Sequence, residues 1–342
     1  MENSLHHTSD DQPGYLRVRR GEKFSYKDID GKPLKKANAL ARIRALAIPP
    51  AYERVWICTD QNGHLQATGR DARSRKQYIY HADWHASQDA DKFGRVVLFG
   101  ETLPTLRRRL WKDISLPGLP REKVLGAVCL LLDETLIRVG NEEYAQSNKS
   151  FGLTTLRNRH VRVKHAEVKF DFQGKSAVQH SVTVSDPALA KIVRACRAIP
   201  GQHLFQFIGE DGEPHHIDSG AVNQYLKTIS GSDITAKDFR TWAASVAALR
   251  VLKKITFASK TEAKRHVSAT IKDVAKRLRN TPAVCRKSYI HPLIIEAFLG
   301  NVLSKPIALK PRAGLRSDEH ALLNFLNKRG QSRPVQAATQ DI

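Results

Sequence analysis

Four side chains in this sequence could together break a phosphodiester bond. Tyr289 stands in residues 280–292, N-T-P-A-V-C-R-K-S-Y-I-H-P, with Arg286 and Lys287 beside it. A phenol close to cations loses its proton more readily and can act as a nucleophile. Cleavage also needs positive donors on the two non-bridging phosphate oxygens and an acid for the leaving oxygen. Arginine suits the first of these tasks, because its planar fork matches phosphate and keeps its charge. Lysine on a mobile tip suits the second. Arg138 follows a helical pattern at its end, Arg240 lies in the first turns of a capped helix, and Lys175 falls at a hairpin tip. Taken singly, each has a bland reading. An arginine at a helix end is ordinarily a dipole partner, a lysine in a turn is ordinarily solvated, and a lone tyrosine ordinarily packs.

The elements that must carry these residues are readable from spacing. Ile271, Val274, Ala275 and Leu278 recur at helical intervals, so a helix runs towards Asn280. Thr281 can cap the next helix, with Pro282 in its first turn. His291 before Pro292 must leave α geometry, so the chain turns again after Tyr289. Arg121 to Ile137 has an apolar stripe and stops at Arg138-Val139-Gly140. Val168, Phe170 and Phe172 alternate with polar residues, as do Val178, His180, Val182 and Val184. Gln173-Gly174-Lys175-Ser176 between them is the predicted turn. Thr235 and Asp238 form a capping box ahead of Phe239 and Arg240.

The chain has 342 residues, 41% of them hydrophobic, enough for two domains with cores. Lys plus Arg number 56 against 34 Asp plus Glu, a net charge of +22. That excess points to a polyanion, with nucleic acid first. The run Val124–Leu132 is too short to span a bilayer and reads as a buried helix. Residues 1–14 lack the basic and apolar parts of a secretion signal. Cys58, Cys129, Cys196 and Cys285 form no C-x-x-C pair and read as reduced thiols. No phosphate-binding glycine loop and no H-E-x-x-H occur, so neither a nucleotide nor a metal cofactor is expected.

Expected boundaries are a mobile N-terminus (1–14), a β-rich DNA-binding domain (15–90), a catalytic domain (91–330) and a disordered tail (331–342). The polar stretch 82–95 marks the domain boundary, and helix is expected from about residue 101. In the first domain, Val55–Thr59 and Leu65–Thr68 flank the turn Asp60-Gln61-Asn62-Gly63, and Ala37–Leu46 is a short helix. Residues 69–81 interleave Arg70, Arg73, Arg75 and Lys76 with Gln77, Tyr78 and Tyr80. Such a block can neutralise phosphates, read base edges and stack. From Asp186 to Leu326 helices are expected to return.

Several blocks in order resemble the small type IB DNA topoisomerases of the poxvirus and bacterial kind, from about residue 40 to about 300. They are T-G-R-D-A-R-S-R-K-Q-Y-I-Y-H at 68–81, I-R-V-G-N-E-E-Y at 137–144, G-L-T-T-L-R-N-R-H-V at 152–161, F-Q-G-K at 172–175, K-D-F-R-T-W at 237–242 and N-T-P-A-V-C-R-K-S-Y at 280–289. The resemblance implies that Tyr289 is the nucleophile, with Arg138, Lys175 and Arg240 as the matching catalytic residues. Asn280 stands where poxvirus members carry a histidine. An asparagine can still donate an N–H to phosphate but cannot titrate. Arg75, Gln77, Tyr78 and Tyr80 would face DNA, and Tyr144 and Lys237 would contact its backbone near the scissile phosphate. The implied architecture is α+β: a small β-rich N-terminal domain and a larger, mainly helical catalytic domain with a small sheet, forming a C-shaped clamp on duplex DNA. The implied activity is relaxation of supercoils through a 3′-phosphotyrosyl link, by a cytoplasmic, nucleoid-associated monomer without cofactor. A tyrosine recombinase is the alternative enzyme, but its usual histidines near Arg240 and before the tyrosine are absent. A non-catalytic architectural DNA-binding protein would explain the charge but not the four residues at their matching blocks.

Overall fold

The computed structural model describes residues 5–21, 23–72, 74–303 and 312–330. Arg73 and the tail 331–342 lie outside the described residues. The chain divides into two compact units, residues 1–92 and 93–342.

The first unit is built on an antiparallel sheet. Its strands are β1 (Tyr15–Arg20), β2 (Lys23–Lys27), β3 (Glu53–Ile57), β4 (Leu65–Arg70) and β5 (Lys76–Tyr80), in the order β2-β1-β3-β4-β5. Alternate residues of a strand face opposite ways, so the sheet has two faces to cover. Helix α1 (Ala37–Ala45) accounts for one, where Ile43 packs with Leu34, Val55, Ile57 and Ala67. The other carries Trp56, Cys58, Leu65 and Tyr80. Residues 5–14, expected to be mobile, lie against this second face. Thr8 Oγ1 donates to the Leu65 carbonyl at 3.1 Å, the Trp56 indole N–H donates to the Gln12 carbonyl at 2.9 Å, and Asp10 pairs with Lys76 at 2.8 Å. The segment is polar because it binds through hydrogen bonds, and composition alone does not separate that from mobility.

Helix α2 (Ala82–Ile114) begins well before residue 101, and the unit boundary falls within its sequence. The polar residues at 82–95 offer no apolar periodicity from which a helix could be read. In the second unit, α3 (Arg121–Thr135) has every residue from Val124 to Leu132 buried. Burying each such leucine or valine contributes roughly 1.5–3 kcal/mol, which makes α3 the fixed axis of the unit. Then come α4 (Glu142–Asn148), β6 (Val161–Lys164), β7 (Glu167–Gln173) and β8 (Gln179–Ser185), the strands forming an antiparallel sheet in that order. Helix α5 (Pro187–Ala198) packs on it.

A hairpin of β9 (Gln206–Ile208) and β10 (Pro214–His216) lies within the region where helices are expected, and the sequence reading did not anticipate it. Each strand has three residues, too few to show alternation. Helices α6 (Ser219–Ser230), α7 (Ala236–Leu252), α8 (Lys260–Leu278), α9 (Pro282–Ser288), α10 (Pro292–Leu299) and α11 (Ser317–Gly330) complete the unit. Phe99 and Leu103 of α2, the apolar side of α3, and Phe239 and Trp242 of α7 belong to one core. Arg107 joins Asp133 and Glu319 at 2.8 Å each, tying α2 to α3 and α11. All four cysteines are buried free thiols, and no helix among the described residues is long and apolar enough to cross a membrane.

Candidate active site

The ends of α3, α8 and α9 and the first turns of α7 supply one cluster. Helix α3 stops at Leu136, which takes the left-handed conformation (φ 57°). The chain then runs through Arg138 to Gly140 and is held by the turn at 152–155. Leu153 N–H donates to the Arg138 carbonyl at 2.9 Å and Thr154 N–H to the Val139 carbonyl at 2.7 Å. A side chain on Gly152 would place its Cβ 2.5 Å from the Arg138 carbonyl oxygen, so only glycine permits this crossing. The I-R-V-G and G-L-T-T blocks are therefore the two halves of one backbone lock that aims Arg138.

The capping box that starts α7 is present, with Thr235 N–H donating to Asp238 at 2.8 Å. It sets the register of Arg240, which is 4% exposed. The Arg240 fork donates to the Leu136 carbonyl with one Nη and to the Leu278 carbonyl, at 2.8 Å, with the other. These carbonyls close α3 and α8, where helices leave acceptors unmatched and carry partial negative charge. Arg240 Nε is buried without a hydrogen-bond partner.

Helix α8 closes through Arg279 in the left-handed region (φ 51°), with Asn280 N–H returning to the Ala275 carbonyl at 2.9 Å. This turn presents the Asn280 side chain, whose Oδ1 accepts from Arg138 Nη2. Asn280 Nδ2 is buried without a hydrogen-bond partner. Thr281 caps α9 by accepting from Val284 N–H at 3.3 Å, and Pro282 occupies the first turn. Tyr289 is the C-terminal cap of α9. Ser245 Oγ donates to the Tyr289 carbonyl at 3.2 Å and accepts from His291 N–H at 3.0 Å, pinning the chain on both sides of buried Ile290.

The half-buried Tyr289 ring lies 5.2 Å from the Arg240 guanidinium carbon. Burial would push the phenol up. The charge of Arg240, then that of Arg138, with the Asn280 amide close by, outweighs burial and holds it below its ordinary value. Burial, then the like charge of Arg240, brings Arg138 down to about 10, opposed by Tyr289, so Arg138 remains a cation at neutral pH. Two arginines, a carboxamide and an acidified phenol converge, and two of their polar atoms, Arg240 Nε and Asn280 Nδ2, are buried without a hydrogen-bond partner. That arrangement suits a tetrahedral anion beside the phenol.

Lys175 is not brought into the cluster by contact. It opens the exposed turn between β7 and β8, closed by Gly174 N–H to the Val178 carbonyl at 2.8 Å, and has no hydrogen bond or ion pair among the described residues. Tyr144, on α4, is 50% exposed, and Lys237 is exposed one turn before Arg240. In the first unit, Asp71 organises the basic block. It pairs with Arg75 at 2.6 Å and accepts from Gln77 Nε2 at 3.0 Å. Arg70 donates to the Ser74 carbonyl at 2.8 Å. Tyr78 is exposed and stacks at 6.1 Å on Tyr80, which is half-buried against Trp56 and Leu65. Sequence reasoning missed Ser245 and the pair His180–Arg279, in which Arg279 Nη1 lies 2.7 Å from His180 Nδ1. The alternating β8 pattern placed His180 on a strand, but nothing local pairs it with a residue 99 positions away.

Comparison with known proteins identifies the family. Residues 81–302 match the family described as eukaryotic DNA topoisomerase I, catalytic core, and residues 23–71 match the bacterial DNA topoisomerase IB N-terminal domain. The chain is 29% identical over 296 residues to DNA topoisomerase 1B of Acanthamoeba polyphaga mimivirus, covering 84% of this chain and 88% of that protein. It is 23% identical over 252 residues to DNA topoisomerase 1B of vaccinia virus (strain Copenhagen), covering 72% and 75%. A 172-residue stretch is 27% identical to DNA topoisomerase 1 of Schizosaccharomyces pombe, covering 49% of this chain and 20% of that protein. The catalytic-core match spans the whole cluster from Arg138 to Tyr289, and the chain belongs to the type IB DNA topoisomerases.

Proposed function

We propose that the protein relaxes supercoiled duplex DNA, with Tyr289 as the nucleophile. The phenolate oxygen attacks the scissile phosphorus, the P–O5′ bond breaks, and a 3′-phosphotyrosyl link and a 5′-hydroxyl form. Arg138 and Arg240 hold the non-bridging oxygens, and the unmatched Asn280 Nδ2 donates a further N–H. Lys175, on its hairpin arm, swings to the leaving oxygen and gives it a proton. The free end then rotates, and the 5′-hydroxyl attacks back. The covalent link keeps the energy of the broken bond, so rejoining needs no ATP. Tyr144 and Lys237 contact the backbone near the scissile phosphate. Arg70, Arg75, Gln77, Tyr78 and Tyr80 bind duplex DNA from the N-terminal unit, Arg75 and Gln77 exchanging Asp71 for phosphate or base. The enzyme acts as a monomer on the nucleoid in the cytoplasm.

The observation that carries this reading is the convergence of Arg240 and Arg138 on a phenol whose pKa they lower. The test is negatively and positively supercoiled plasmid in EDTA without ATP. Both are expected to relax. Full supercoiling retained, with activity only on added magnesium and ATP, would sink the proposal.

The Asn280 assignment makes its own prediction. Asn280→Ala removes one N–H donor, which costs about a hundredfold in cleavage on the scale of a lost oxyanion-hole donor. Asn280→His retains substantial activity. Single-turnover cleavage of an oligonucleotide reads both. An unimpaired alanine variant would make Asn280 only a helix-end residue.

A further inference from the structure

His180 touches two parts of the site that are otherwise separate. It lies on β8 opposite Phe172, 5% exposed, with its ring stacked on the Phe172 ring at 4.6 Å and 22°. On one side Arg279 grips it. Arg279 Nη1 is 2.7 Å from His180 Nδ1, and Arg279 Nη2 donates to the Ser181 carbonyl at 3.0 Å. Guanidinium can only donate, so Nδ1 accepts and the ring proton sits on Nε2. Burial, then the charges of Arg279, Arg138 and Arg240, holds His180 down at about 4, so the ring is neutral at working pH. On its other side the Nε2 edge meets the turn that carries Lys175. A Cβ on Gly174 would lie 2.5 Å from Nε2, so glycine is required for the ring to sit there. Nε2 itself is buried without a hydrogen-bond partner.

Arg279 immediately precedes Asn280, and Gly174 immediately precedes Lys175. The ring is therefore a spacer between the end of α8, which presents Asn280, and the arm that bears the lysine. We propose that His180 is a positioning residue for Lys175, fixing where the lysine arm starts relative to the arginine–tyrosine cluster. It touches neither the phenol nor the leaving oxygen and acts through the turn. The inference rests on Lys175 being the proton donor to the 5′-oxygen.

A bridging-sulfur substrate separates this role from a structural one. With sulfur in place of the 5′-bridging oxygen, the P–S bond breaks and a thiolate leaves without needing a proton. A variant that only misplaces the acid is slow on oxygen and near normal on sulfur. A variant that distorts the whole site is slow on both. His180→Ala is expected to cleave the normal strand about a hundredfold slower, the cost of roughly an ångström of misplacement, and the sulfur-bridged strand at close to the wild-type rate. Arg279→Met, at a half-exposed position that does not threaten folding, is expected to show the same split. Gly174→Ala pushes the ring and turn apart and shares it too, whereas adding Gly174→Ala to His180→Ala costs little more, because the ring is already gone.

Lys175→Ala is run beside them. If sulfur rescues Lys175→Ala but not His180→Ala or Arg279→Met, the positioning role is wrong and the acid stands. If sulfur fails to rescue Lys175→Ala, the lysine is a phosphate clamp, and the acid and the positioning role fall together. Full activity of both His180→Ala and Arg279→Met on the normal strand also overturns the proposal.

Discussion

Tyr289→Phe is expected to bind duplex DNA as the wild type does and to form no covalent adduct. The substitution removes the attacking oxygen and leaves the remaining contacts in place. The ring keeps its position beside the Arg240 guanidinium and against the core. The main chain is pinned through Ser245 by backbone groups that phenylalanine also has. Arg138 loses the partner that favours its charge, but starting near 10 it remains cationic at neutral pH. The phosphate would still meet both arginines, so affinity survives while cleavage falls below detection. The measurement is a denaturing gel of enzyme mixed with labelled duplex, together with a binding titration. A denaturant-resistant protein–DNA band from the phenylalanine variant would place the nucleophile elsewhere. Loss of binding alongside loss of the adduct would mean that the hydroxyl helps to organise the site.

Local grammar made the placement of most of the proposed site legible. Thr235 and Asp238 announce the start of α7 three residues apart, and they fold as a capping box. Thr281-Pro282 announces α9 in the same way. Alternation in β7 and β8 puts Lys175 at the tip between them. These signals are short-range, so one strand of sequence carries them. What escaped depends on partners far apart. Arg240 reads locally as a residue in the first turns of a capped helix, yet its fork is occupied by carbonyls 104 and 38 residues away. His180 reads as an ordinary inward strand residue until Arg279 is folded against it. Residues 5–14 read as a polar tail because the groups they satisfy belong to Trp56, Leu65 and Lys76, on a sheet face that exists only after folding. The polar stretch 82–95 hid the early start of α2, because a helix needs backbone hydrogen bonds more than it needs apolar side chains. The resemblance named the residues to expect, and geometry added that the arginines differ in kind. Arg138 is held by one side chain, Arg240 by two helix ends.

That difference sets the second large effect. Arg240→Ala is expected to lose both catalysis and stability, whereas Arg138→Ala loses mainly catalysis. Arg240 is buried and donates to the Leu136 and Leu278 carbonyls, so its removal leaves two buried acceptors unsatisfied. An unsatisfied buried acceptor costs about 1–3 kcal/mol, and the emptied space adds to that. Arg138 is only half-buried, and its side-chain hydrogen bond goes to Asn280, an amide that water entering the site can serve. In the reaction, losing one phosphate donor costs about 10²–10³-fold. Arg240→Ala should lose more than that, because the same charge is foremost in holding the Tyr289 phenol down. Without it burial pushes the phenol up and less phenolate is present at neutral pH. Cleavage by the variant should therefore recover in part as pH rises, while Arg138→Ala, lacking the weaker of the two charges on the phenol, recovers less. Arg240→Lys separates charge from geometry. An ammonium keeps the positive charge near the phenol but has no planar fork to serve two carbonyls and a phosphate oxygen together. It should restore part of the pH profile and little of the stability. Neither arginine donates to the leaving oxygen, so sulfur at the 5′-bridge should rescue neither alanine variant. Urea midpoints and single-turnover cleavage across pH measure all of this. Unchanged stability in Arg240→Ala would mean that the helix-end carbonyls find other donors and that the buried fork serves only the phosphate.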